Sequence, residues 1–354
     1  MKPVSVVRIL GIETSCDETS VALMEWPSDA ETPSLLTHEI ASQIEQHRPY
    51  GGVVPELATR QHMKHLDGMV GRTLSAQGWQ TEDLTCVAVT MGPGLASSLM
   101  VGTAYARGLA LAAGLPVAGI HHMEGHLLSV FLGSGCAPQY PHLALVISGG
   151  HTLLVAVLEP WQYQILGKTR DDAVGEAYDK VAKLLGLSYP GGPEVERRGR
   201  DGDPRRFIFP RSMLHSGDDA FSFSGLKTAV RYELEKWPPP WNDQLIADIC
   251  AGFQSAVVDI LVGKCLRVLQ RTHLPLLTVS GGVAANQSLI SALDKASADM
   301  GVRVLSAPRQ YSTDNAAMIA HAAAWRHRDG VLDEGPSDVM PVWPLDALNR
   351  LEPD

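Results

Sequence analysis

The sequence predicts an α/β protein built from two related lobes, and three observations carry that expectation. The chain has 354 residues, more than one core usually organises, and 45% of them are hydrophobic, enough to fill two. Two segments lying about one domain apart, "RILGIETSCDETSVALM" and "LALVISGGHTLLVAVLE", echo each other: an apolar strand, a turn of small polar residues, then a second apolar strand. A third, "LPLLTVSGGVAANQSLISALD", reads as a buried strand, a Gly-Gly turn and a helix, with small residues where a ligand must approach the backbone. Tips rich in Gly, Ser and Thr can aim backbone N–H groups and hydroxyls at an anion. Each such turn taken alone reads as an ordinary tight turn. Together they suggest a nucleotide held between the two lobes.

The remaining elements follow in order. The first hairpin tip carries Asp17 and Glu18, an acidity that argues against a naked phosphate there unless a metal intervenes. "PELATRQHMKHLDGMVGRTLSAQG" has helical apolar spacing, "TCVAVTMGPG" is a strand ending in a turn, and "SSLMVGTAYARGLALAAG" is a small-residue helix suited to close packing. The run "LMVGTAYARGLALAAGLPVAGI" is long enough to mimic a membrane span, but Arg107 and Pro116 interrupt it. A buried helix followed by a strand is the expectation. Beyond the second hairpin, "DDAVGEAYDKVAKLLGL", "FSGLKTAVRYELEKW" and "DQLIADICAGFQSAVVDILVGKCLRVLQRT" read as helices. "PPP" at 238–240 is a stiff connector, and "VRVLSAPRQYSTDNAAMIAHAAAWRHR" is a strand, a loop and a final helix.

A formal charge of −10 argues against non-specific nucleic-acid binding by the chain as a whole. In "EVERRGRDGDPRRFIFPR" six arginines outnumber four acids within a Gly- and Pro-containing loop. Two readings stand for it: a local basic surface, or a solvated loop with internal ion pairs. Five widely spaced cysteines with no CxxC pair point to reduced thiols, and the N-terminus has too short an apolar run for a signal peptide. A cytoplasmic protein without membrane attachment is expected.

The stretch "GIHHMEGHLLS" poses the functional question. His122 and His126 are one helical turn apart, so one face can offer two imidazoles to one ion. In the HExxH peptidase motif a glutamate follows the first histidine and acts as general base. Met123 occupies that slot here, and Glu124 is displaced by about 100° round the helix. The two histidines could also be plain polar residues on a solvated face. A third ligand would decide, and Asp314 in "STDNAAMIAHAAAW" offers a hard oxygen, although an aspartate before a helix is ordinarily an N-cap. Two histidines and a carboxylate suit iron(II) or zinc with positions left open.

These segments, with "HRPYGGVVPELATRQH", "GPGLASSLMVG", "GEAYDKVAKLLGLSYPGGP", "FSFSGLKTAV" and "VSGGVAANQ", closely resemble the bacterial tRNA adenosine threonylcarbamoyltransferase family, once described as O-sialoglycoprotein endopeptidases. The resemblance runs from about residue 8 to 325. It implies a two-lobed actin-like, sugar-kinase-like and chaperone-like ATPase fold with an inter-lobe nucleotide and metal cleft. The lobes are expected at 1–135, completed by the C-terminal helix near 314–335, and at 136–313. It implies transfer of an L-threonylcarbamoyl group from L-threonylcarbamoyl adenylate to the exocyclic amine of adenosine 37, in tRNAs reading codons that start with A, with release of AMP. By matching motifs, His122, His126 and Asp314 resemble the ligands of one divalent ion, usually iron(II), with zinc as the alternative. Leu145, Val146, Ile147, Ser148 and Gly149 resemble the phosphate-side wall of the adenylate pocket, and Asp179, Gly192 and Asn286 the remaining nucleotide contacts. Glu13 is the candidate catalytic residue, orienting the metal site or the incoming amine; the alternative is a mere buttress of the turn. Lys180 reads as a helix-surface cation. Implied partners are a degenerate paralogue and a small ATPase, with a separate synthase upstream supplying the adenylate.

Three rivals are weighed against this. A metallopeptidase needs a base where Met123 stands. A nucleotide-driven kinase or ATPase is permitted by the fold but has no need of the His-His-Asp set. A non-catalytic nucleotide-sensing partner would be expected to have lost those ligands.

Overall fold

The computed structural model describes residues 6–350 and divides into two compact units, one formed by residues 1–139 and 313–354 and the other by residues 140–312. In the first unit β1 (Val6–Glu13) and β2 (Glu18–Pro27) form the expected hairpin, and β3 (Ser34–Ser42) pairs antiparallel with β2. A short α1 (Ile44–His47) and a long α2 (Pro55–Gln77) lead to β4 (Cys86–Gly92), parallel to β1. Next α3 (Ala96–Ala113) crosses to β5 (Val117–His121), parallel to β4, and β5 passes directly into α4 (His122–Ser129). The strand order is β3-β2-β1-β4-β5. Every residue of β4 is buried, as a parallel strand covered on both faces requires.

The second unit repeats the plan. β6 (His142–Ile147), β7 (Thr152–Glu159) and β8 (Gln162–Lys168) form an antiparallel meander. Four helices follow: α5 (Val174–Leu184), α6 (Gly191–Gly199), α7 (Ser224–Leu234) and α8 (Asp243–Thr272). β9 (Leu276–Ser280) then lies parallel to β6, and α9 (Gln287–Ala298) connects to β10 (Arg303–Ser306), parallel to β9. Read from the meander edge, the order β8-β7-β6-β9-β10 matches the first sheet strand for strand. The hairpin echo in the sequence is therefore the trace of a duplicated sheet. Among the described residues α8 alone is long and apolar enough to cross a membrane, but 72% of that window is buried against the rest of the protein. Phe253, Ile260, Leu261 and Cys265 place its apolar surface in the core.

The last α-helix among the described residues is α10 (Ala316–Arg328), in the first unit. Ala316 to Arg326 are all buried, and the alanines among them let the helix pack closely on the sheet. Gly11 in β1 is the complement. A Cβ there would lie 2.6 Å from the Ala316 carbonyl oxygen and 2.9 Å from the Ala320 Cβ.

Three features depart from the sequence reading. The half-exposed strands β3 and β8 carry too little apolar alternation to announce themselves. The start of the arginine-rich stretch is helical, forming most of α6, rather than loop. Five of its six arginines form ion pairs: Arg197 with Glu194, Arg198 with Asp243, Arg206 with Asp248 and Arg211 with Asp259 at 2.6 to 3.1 Å, and Arg200 with Glu196 at 3.9 Å. Three of these pairs reach to α8, so the stretch is tied to that helix as well as paired within itself, and Arg197 and Arg200 stay exposed. Substituting Gly11 with Ala should cost about 1–3 kcal/mol by forcing α10 off β1, measured as a lowered midpoint in thermal or urea unfolding; an unchanged midpoint would show that α10 can shift freely.

Candidate functional site

The junction between β5 and α4 sets the first two ligands. His121 ends the strand in extended conformation and caps the helix, its Nδ1 accepting the Met123 N–H at 3.1 Å. His122 and His126 then follow on one face, both buried. Asp314 arrives from the loop before α10. Asn315, not Asp314, is the N-cap of that helix, its side chain accepting the Met318 N–H at 3.0 Å. The Asp314 carboxylate is thus left to turn toward the histidines. Its Oδ1 lies 3.1 Å from His126 Nε2 and 3.4 Å from His122 Nε2, and one ligand atom from each of the three residues lies within 4.8 Å of the others.

These separations test whether an ion fits. Ligand atoms about 2.1 Å from one centre stand about 3.0 Å apart at octahedral angles and about 3.4 Å apart at tetrahedral ones. The two distances measured to Asp314 fall in that window. Behind His122, its Nδ1 faces Glu13 Oε2 at 3.1 Å and Ser15 Oγ at 3.2 Å, the carboxylate-to-imidazole backing that leaves Nε2 as the donor to a metal. Glu13 is fully buried, and its oxygens also accept from the Ser15 N–H and, at 2.6 Å, from the Thr90 hydroxyl.

The electrostatics call for a cation. Burial works against charge on His122, yet Asp314 and Glu13 on either side lift its pKa to about 10. Burial raises both carboxyls, but the His122 ring outweighs it, leaving Glu13 below its ordinary value and Asp314, with His126 helping, well below. Glu18 at the hairpin tip is pushed well above the usual range by burial, then by Asp17 and Asp314. Two carboxylates facing one buried imidazole favour positive charge at that point, which a divalent ion on Nε2 would supply.

Glu124, the other acid of the motif, faces elsewhere. It is fully buried and accepts two hydrogen bonds from Arg326 of α10, from Nε at 2.7 Å and from Nη2 at 3.1 Å. Buried and paired with a guanidinium on the α10 side, it is committed to that ion pair rather than to activating a water, which weakens the peptidase rival.

The second unit contains the other residues singled out by sequence. Leu145, Val146 and Ile147 are wholly buried in β6 and can offer a ligand only backbone. The turn after them is closed by the Ser148 N–H donating to the His151 carbonyl at 2.9 Å and the His151 N–H to Ser148 Oγ at 3.1 Å. Two glycines let neighbouring backbone press on this turn: a Cβ at Gly175 would lie 2.7 Å from the Ser148 carbonyl oxygen, and one at Gly281 (φ +90°) 2.4 Å from that of Ile147. Gly149, Gly150 and Gly192, in contrast, face open space. Asp179 Oδ1 accepts the Gly191 N–H at 2.6 Å, joining α5 to the start of α6. Asn286 caps α9 through Oδ1 to Leu289 N–H at 3.0 Å and donates to Gln254 at 3.1 Å. Lys180 is engaged by Asp172 and Glu176 at 2.7 and 2.8 Å. Sequence reasoning missed His121, Ser15 and Thr90. Only His121 had a signal, its place just before the helix.

The family described as tRNA N6-adenosine threonylcarbamoyltransferase matches residues 34–321. A relative of that name from Paracidovorax citrulli is 49% identical over 348 residues, 96% of this chain and 98% of its own. The chain belongs to the tRNA N6-adenosine threonylcarbamoyltransferase family. It is accordingly a transferase, as the motifs implied. Solved structures share the fold alone: component A of the Acidaminococcus fermentans (R)-2-hydroxyglutaryl-CoA dehydratase (15% identity, TM-score 0.54, 91% of this chain and 99% of that one) and T. kodakarensis HypF (11%, 0.59, 94% and 49%). The duplicated sheet is thus the actin-like ATPase and sugar-kinase type of α/β fold.

Two outcomes are expected. Arg326→Met should destabilise the protein by about 3–5 kcal/mol, because it strands a buried carboxylate, seen as a large fall in the denaturation midpoint; a change under about 1 kcal/mol would mean Glu124 is solvated. Glu13→Gln should weaken binding of a divalent ion by about 10- to 100-fold, measured by chelator competition, and unchanged affinity would remove Glu13 from the ion's surroundings.

Proposed function

We propose that this protein transfers the L-threonylcarbamoyl group of L-threonylcarbamoyl adenylate to the exocyclic amine of adenosine 37 in tRNAs reading codons that start with A. The observation that carries this reading is the convergence of His122, His126 and Asp314 while Glu124 is locked to Arg326. That arrangement suits an ion used to bind and polarise an activated substrate rather than to hydrolyse a peptide, and it agrees with the family. Iron(II) is the proposed ion and zinc the alternative.

The chemistry asks little of side chains. In the adenylate the carbamoyl carbon is already joined to a good leaving group, so the amine nitrogen bonds to that carbon, the carbon–oxygen bond to phosphate breaks, and AMP and a proton depart. A divalent ion held by the two imidazoles and Asp314 would supply Lewis acidity toward an oxygen of the substrate. Glu13 serves as a positioning residue, holding His122 by its Nδ1 so that Nε2 stays available. In the second unit the backbone of Leu145–Gly149 lines the phosphate side, open at Gly149. Gly192 leaves room for the ligand, while the Asp179 carboxylate and the Asn286 amide are the polar groups proposed to meet the ribose or base. No step needs a protein nucleophile.

With a formal charge of −10 and most arginines of the arginine-rich stretch already paired with acids, tRNA binding is proposed to depend on partner proteins: a degenerate paralogue and a small ATPase in the cytoplasm, with a synthase delivering the adenylate. Purified protein with these partners, unmodified tRNA and the adenylate should yield threonylcarbamoyladenosine by nucleoside mass spectrometry. His126→Ala and Asp314→Ala should reduce the product to background; undiminished product from either would sink the metal assignment. Absent product together with metal-dependent cleavage of a peptide library would restore the peptidase reading.

A further inference from the structure

Beyond α10, and outside residues 34–321 matched by the family, the chain doubles back over the first unit as a strap from 329 to 348. Its hold is mostly backbone. The Gly119 N–H donates to the Asp333 carbonyl at 3.2 Å, the Met340 N–H to Met91 at 2.8 Å, and the Gly94 N–H to Pro341 at 3.2 Å. Glycines make the approach feasible: a Cβ at Gly92 would lie 2.0 Å from the Met340 carbonyl oxygen, and one at Gly119 2.6 Å from that of Glu334. Arg107 binds the Ser337 and Pro336 carbonyls at 2.9 and 3.1 Å, and Leu345 and Leu348 are buried.

One of the strap's contacts leads to the metal ligands. The carbonyl of Trp343 lies 3.0 Å from His121 Nε2, and the two rings pack with centroids 4.8 Å apart. A neutral imidazole has one N–H and one acceptor. Since Nδ1 accepts the Met123 N–H, the proton sits on Nε2 and is donated to Trp343. The two bonds fix both the tautomer and the plane of the ring. His121 is also the N-cap of α4, whose first residue is His122 and whose next turn brings His126. Were the Trp343 carbonyl withdrawn, Nε2–H would need another acceptor inside a buried site, and any ring rotation that found one would release the Met123 N–H and loosen the first turn of the helix.

We propose that His121 is a positioning residue for the metal centre and that the C-terminal strap acts on that centre through it. This rests on the reading of His122, His126 and Asp314 as ligands, so the test must separate the two. Zinc(II) affinity of the full-length, metal-free protein would be measured by chelator competition, alongside its thermal unfolding without metal. His122→Ala is the control: if it binds zinc as the wild type does, the ligand assignment itself fails. Given a control that loses zinc, His121→Ala should weaken binding about tenfold, and His121→Asn should recover part of the loss, because its short amide can cap Met123 but cannot reach Trp343. Removal of 342–354 should weaken binding to a similar extent, and adding it to His121→Ala should cause no further loss, since the two changes break one linkage. The inference is overturned if His121→Ala lowers the melting temperature yet leaves zinc affinity within twofold, or if the two losses multiply. Should the truncated chain not fold, the Ala and Asn variants decide alone.

Discussion

His122 is buried between two carboxylates, and much of the first unit is arranged to make that arrangement stable. Glu13 comes from the end of β1, Asp314 from the loop before α10, and the histidine itself from the start of α4. An imidazole with a carboxylate on each side is an unbalanced charge set in a low-dielectric interior unless a proton or a metal ion completes it. Each acid is therefore tied down elsewhere, Glu13 by Ser15 and Thr90 and Asp314 by His126. The close seating of α10 on Gly11 serves the same end, because the helix that packs there starts at the third ligand.

Duplication of the sheet gave two equivalent hairpins, and their tips have diverged in charge. The first turn carries Asp17 and Glu18 near the proposed ion; the second carries Gly149 and Gly150, open on their Cβ side. Burial and the neighbouring acids push the Glu18 carboxyl well above its usual range at one tip, whereas the glycines leave the other tip open. The two tips of one repeated plan thus carry different residues, and chemistry follows such residues rather than the fold.

Local signals explain what could be read without coordinates. The long apolar helices, the hairpins and the Gly-Gly turn all follow from periodicity and turn chemistry within about twenty residues. The His122–His126 pair is likewise a matter of helix pitch. Harder were β3 and β8, half exposed and without clean alternation, and α6, whose arginines and glycines resemble a loop until Glu194 and Asp243 are seen to pair with them. Asp314 had the composition of an N-cap, and only the cap formed by Asn315 shows that its carboxylate is released for other use.

By itself the sequence determined the element order, the repeated hairpin, the helical histidine pair and, through its ordered motifs, the family. These are properties of residues close together in the chain, where bond geometry and side-chain period dictate the outcome. The tertiary structure alone decided which acid does what. Glu124 sits between the two histidines in sequence yet is held by Arg326, while Asp314 and Glu13, 188 residues from His126 and 109 from His122, are the acids that face them. Contacts at such separations depend on how α10 packs against the sheet and α4, and no local pattern encodes that.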